Sequence, residues 1–88
     1  MSALHAVIFD FDGVIADSER LHLKAFQAVL HGSAVTLSDE SYYARYLGYD
    51  DHGVFRHLFR DQAQVLAPDV LETLVEAKGR QYEALAAA

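Results

Sequence analysis

Asp10 and Asp12 are the residues best suited to chemistry in this chain, because an apolar run delivers them at alternate positions just ahead of Gly13. The run His5-Ala6-Val7-Ile8-Phe9 reads as a buried strand, and side chains at i and i+2 of a strand point the same way. Two carboxylates converging at a strand tip repel each other unless a cation lies between them, and a hard cation such as Mg²⁺ takes oxygen ligands. With the metal bound, Asp10 can attack phosphorus as a nucleophile and Asp12 can hold or donate the proton the leaving oxygen needs. Gly13 lets the backbone turn sharply, so that free N–H groups face the phosphate oxygens. The chemistry implied is phosphoryl transfer.

The elements that must position this pair follow from periodicity and punctuation. Ala6 to Phe9 is the strand, and Asp17 or Ser18 caps a helix whose apolar face is Leu23, Phe26 and Leu30, with Ala25 and Val29 beside it. Gly32 terminates that helix, and residues 33–37 form a connecting loop. Ser38 is a second N-cap, leading a short helix that packs through Tyr43, Tyr46 and Leu47 and stops at Gly48. Asp50 or Asp51 opens a third helix with Val54, Phe55, Leu58 and Phe59 on its face. Pro68 suits the first position of the last helix, whose stripe is Leu71, Leu74, Val75, Lys78, Tyr82 and Leu85. Gly79 weakens that helix by about 1 kcal/mol relative to alanine, so close packing or another support is expected there. The expectation is one N-terminal strand plus a bundle of about four helices, mainly α.

Residues 10–19, Asp10-Phe11-Asp12-Gly13-Val14-Ile15-Ala16-Asp17-Ser18-Glu19, resemble the first signature motif of the haloacid dehalogenase superfamily. Within it they resemble the branch of phosphoglucomutase-like and phosphoglycolate phosphatase-like enzymes. The resemblance implies Asp10 as nucleophile, Asp12 as general acid/base, and Mg²⁺ held by the Asp10 carboxylate and the Asp12 backbone carbonyl. It implies the opening part of an α/β Rossmann-like fold, with residues 1–16 as the first core strand and catalytic turn and 17–88 as a helical cap that is incomplete. A phosphate-binding Ser or Thr, a charge-neutralising Lys and an acidic pair would then lie beyond Ala88, and the 88 residues alone would be inactive.

The same resemblance marks substrate-binding candidates. Gly13 belongs to the phosphate-facing turn. Lys78 matches a cap lysine that contacts substrate in some members; its alternative is a lysine with a buried stem and a hydrated head. His22 matches a histidine near the hinge between core and cap, able to assist proton transfer or simply to pack at the helix start. Asp51 stands where mutase-type members carry an arginine for a distal phosphate; an acid there repels phosphate, which favours a phosphatase, or else merely caps a helix. His5, His31, His52 and His57 have no metal-ligand spacing.

Composition narrows the classes. A net charge of −6 with only seven Lys and Arg disfavours nucleic acid, leaving a small phosphorylated metabolite as the expected partner. The absence of cysteine rules out disulfides and thiol catalysis and suits a cytoplasmic setting, and no long apolar stretch suggests a membrane. An apolar strand needs partners for its N–H and C=O groups, and no other segment reads as a strand. The partners must come from further chain or another molecule, so self-association through the strand is a second expectation. The competing functional class is a non-catalytic helical module that pairs its strand or apolar face with a partner.

Overall fold

A computed structural model of the chain describes residues 18–87. Their regular structure is helical throughout: α1 over 18–30, a short α2 at Asp39–Ser41 that runs into a π-turn at Tyr42–Tyr46, α3 at Asp51–Asp61, and α4 at Pro68–Ala87. There is no strand among the described residues, which corrects the expected fold class: this part is all-α rather than a strand plus a bundle or part of an α/β sheet. The physical reason is that the described residues carry their apolar side chains at the three- and four-residue spacing of helices and hold no alternating run. The segment expected as that strand, Ala6 to Phe9, lies outside the described residues, as does the catalytic turn.

Each helix starts or stops for a local reason. Gly32 takes a left-handed φ of +84°, while Ser33 N–H donates to the Leu30 carbonyl at 2.9 Å, closing α1. The Ser38 hydroxyl accepts from Ser41 N–H at 3.1 Å, capping α2. Asp50 caps α3 by accepting from Gly53 N–H at 2.8 Å, and Pro68 fills the first position of α4. The end of α3 carries no glycine; instead Ala63 adopts φ 56°, and Gln64 N–H donates to the Phe59 carbonyl at 2.9 Å.

The core collects Leu23, Phe26 and Leu30 from α1, Val54, Phe55 and Leu58 from α3, and Leu71 from α4. Phe26 and Phe55 meet edge to face with centroids 5.2 Å apart, a favoured arrangement of ring quadrupoles. The loop after α1 is more than a connector, since Val35 and Leu37 are buried in the same core. Its backbone is satisfied by side-chain amides: Gln27 Nε2 donates to the Leu37 carbonyl at 2.9 Å. Gln62 both donates to the Thr36 carbonyl and accepts from Thr36 N–H.

The face of the short helix keeps Tyr46 as expected but differs in its other members. Tyr42 and Tyr46 are buried, whereas Tyr43 and Leu47 are each 46% exposed. Hydroxyl partners account for the choice: Tyr42 donates to Glu19 at 2.9 Å and Tyr46 to Asp61 at 2.7 Å, so both rings are buried with their polar tips satisfied. Gly79 has no heavy atom of another group within 4 Å of where a Cβ would stand, so close packing is not what keeps glycine there.

Candidate functional site

The stripe of α4 that covers the core carries a lysine among leucines and a valine. Lys78 follows Leu74 by four residues and Val75 by three, so helical geometry turns it inward with them, and it is only 2% exposed. A buried ammonium needs acceptors for its donors. Lys78 Nζ donates to Asp51 Oδ1 at 2.8 Å and to His22 Nδ1 at 2.7 Å, and it lies 4.6 Å and 5.3 Å from the ring centroids of Phe26 and Tyr82. Three helices thus converge on one cation. Asp51 is placed by the capping turn that makes it the first residue of α3, and His22 by its position beside Leu23 on α1.

This geometry assigns the state of His22. An ammonium only donates, so Nδ1 is the acceptor and the neutral ring carries its proton on Nε2. Burial lowers the His22 pKa below its ordinary 6.5, and the adjacent Lys78 charge lowers it further, while Glu19 and Asp51 act weakly in the other direction. The imidazole also stacks on Tyr82, centroids 4.2 Å apart and planes 14° from parallel. The Tyr82 hydroxyl lies 3.4 Å from Ser18 Oγ.

His22 and Asp51 both line a cavity of about 620 Å³ between α1, α3 and α4, within the size range of small-molecule sites. Phe26, Tyr42, Tyr49 and Val75 give it apolar surface, and Glu19, Asp50 and Asp51 give it carboxylates. Tyr42 donates to Glu19, and burial followed by that carboxylate raises its pKa, so the phenol keeps its proton. Gly48 reaches φ +100° in the loop that carries Tyr49 and Asp50 to the cavity. At its edge His52 Nε2 lies 3.0 Å from Glu72 Oε2. No Lys or Arg is among the residues lining it. A second cavity, about 400 Å³ and lined in part by Arg56, Arg60, Phe59 and Leu66, contains no buried charged side chain.

Of the residues expected to form a site, His22 and Lys78 are brought into direct contact across 56 positions of sequence. Lys78 itself does not line the cavity; it reaches it through His22 and Asp51. Asp51 is neither an open negative charge nor only a cap, since Asp50 is the cap and Asp51 is the ion-pair partner of Lys78. Asp10, Asp12 and Gly13 lie outside the described residues. Among the described residues, no group of three or more His, Asp or Glu is arranged to hold a metal ion, and no helix is long and apolar enough to cross a membrane.

The contacts of Glu19, Tyr42 and Tyr82 were not legible in the sequence, where Tyr82 reads only as part of the α4 stripe. The one signal available was Lys78, a cation interrupting an apolar stripe. Comparison with curated proteins and with solved structures gives no match. Residues 7–86 match the family model described as haloacid dehalogenase-like hydrolase.

Proposed function

The chain belongs to the haloacid dehalogenase-like hydrolases, and from that premise we propose that it serves a phosphatase acting on a small phosphomonoester, with Asp10 and Asp12 as its catalytic carboxylates. An Asp10 oxygen attacks phosphorus and the ester P–O bond breaks, leaving an aspartyl-phosphate, while Asp12 gives its proton to the departing oxygen. Water then hydrolyses the acyl-phosphate and restores Asp10. Asp10 and Asp12 bring hard oxygen donors two residues apart, the donor type Mg²⁺ takes. When bound there, the ion supplies neutralisation of the paired carboxylates and the phosphate oxygens. Residues 17–88 act as the cap, with the cavity beside His22 and Asp51 receiving the rest of the substrate.

The observation that carries this reading is that the family match runs through Asp10-Phe11-Asp12-Gly13. The test is hydrolysis of p-nitrophenyl phosphate with Mg²⁺ by the protein. Asp10→Asn is expected to abolish turnover, and undiminished hydrolysis by that variant refutes the assignment.

A further inference from the structure

We infer that the cavity at the turn between α3 and α4 is a second ligand site, one that takes a small carboxylate with a flat apolar body, and that Arg56 is the side chain that holds the carboxylate. It shares no lining residue with the cavity beside His22 and Asp51, so it stands or falls separately from the phosphatase reading.

Spacing along two helices builds the site. Arg56, Phe59 and Arg60 stand at i, i+3 and i+4 on α3 and share one side of that helix, while Pro68 and Leu71 stand at i and i+3 on the first turn of α4. The connecting loop closes the end. Ala63 at φ 56° and the 2.9 Å bond from Gln64 N–H to the Phe59 carbonyl fold the loop back, which brings Gln64 and Leu66 to the cavity wall. The volume is about 400 Å³, within the range of small-molecule sites.

Charge decides what fits. The chain carries 13 Asp and Glu against seven Lys and Arg, yet no acid is among the residues lining this cavity. The two guanidiniums differ in what they have left to give. Arg60 Nη2 lies 2.8 Å from His57 Nδ1 and Arg60 Nε lies 3.6 Å from Asp61 Oδ1, so its charge is largely answered within the protein. Arg56 is exposed and has no hydrogen bond or ion pair among the described residues. One uncompensated guanidinium balances one negative charge, and its planar fork matches the two oxygens of a carboxylate. A phosphate monoester carries about two charges at neutral pH, more than Arg56 alone neutralises. The walls of Phe59, Leu66, Pro68 and Leu71 suit a ring rather than a polyol, and Phe59 offers an aromatic body an offset or edge contact.

The test is binding of phenylacetate to the protein, followed by the backbone amide NMR signals of Phe59, Gln64 and Leu71. A ligand of this size is expected to bind with a roughly millimolar Kd. It is expected to bind about fivefold more tightly than phenylacetamide, which has the same shape and no charge. The ratio is modest because Arg56 is exposed and its charge is screened. Arg56→Gln replaces an exposed side chain with another good helix former, so the bundle keeps its core. It is expected to bring the two ligands within about twofold of each other by weakening phenylacetate alone. Arg60→Gln is expected to lower the ratio less, since His57 and Asp61 already engage that guanidinium. Benzylphosphonate, with its larger charge, is expected to bind no more tightly than phenylacetate. Phenylacetamide binding as tightly as phenylacetate, a preference that survives Arg56→Gln, or tighter binding of benzylphosphonate overturns the inference. So does the absence of any shift, or shifts that fall on His22 and Gly48 of the first cavity instead.

Discussion

Phe55 and Lys78 are almost equally hidden from water, at 0% and 2% exposed, yet they are held by different physics. Phe55 lies among apolar side chains of α1, α3 and α4 and is stabilised by removal of surface from water, a contribution indifferent to which neighbours supply the contact. Lys78 is tolerated only because Asp51 and His22 complete its hydrogen bonds and Asp51 balances its charge. The apolar region responds to volume, and the polar cluster responds to completeness. The first kind of region makes a stable bundle, while the second confines charge and proton position beside the cavity.

The largest expected effect lies on the apolar side. Phe55→Ala should lower unfolding free energy by about 3–5 kcal/mol, read by urea denaturation, because it leaves a void that the Phe26 ring cannot fill. A loss under about 1 kcal/mol would mean that the packing around it is loose. The polar cluster should behave differently. Asp51→Asn leaves a buried ammonium without its counter-charge and is expected to cost about 2 kcal/mol, less than for a fully enclosed pair because Asp51 is partly exposed. Adding Lys78→Met to that variant should recover most of the loss, since an apolar side chain of similar length needs no partner. Simple additivity of the two substitutions would show that the contact is not energetically coupled.

The smallest expected effect is a change of slope with pH. His22 has a folded-state pKa below 6.5, so between that value and 6.5 the unfolded chain binds more protons than the folded one. Its contribution to stability is complete above pH 6.5 and is lost as pH falls toward the lowered value. His22→Asn keeps an acceptor for Lys78 and removes the titration, so the difference in Tm between the two proteins should shrink or change sign on acidification. A difference independent of pH would place the imidazole in solvent.

Much of the bundle was readable before its coordinates. Gly32, Ser38, Asp50 and Pro68 are local signals whose geometry depends on a few neighbouring backbone atoms, and each performs the expected task. The faces of α1 and α3 likewise follow from spacing. On the short helix Tyr46 turns inward as its spacing predicts, but Tyr42 takes the place expected of Tyr43 and Leu47, where its hydroxyl finds the distant acid Glu19.

What the sequence by itself determined is therefore the helical punctuation, the family-bearing motif at Asp10 to Glu19, and the oddity of a lysine within an apolar stripe. Only the tertiary structure decided what that lysine does. Its partners lie 27 and 56 residues away, and no local preference encodes a contact between groups that meet only once three helices have packed. Local geometry fixes where each side chain points along its own helix; the charge balance of the cavity is settled by which helices come to face one another.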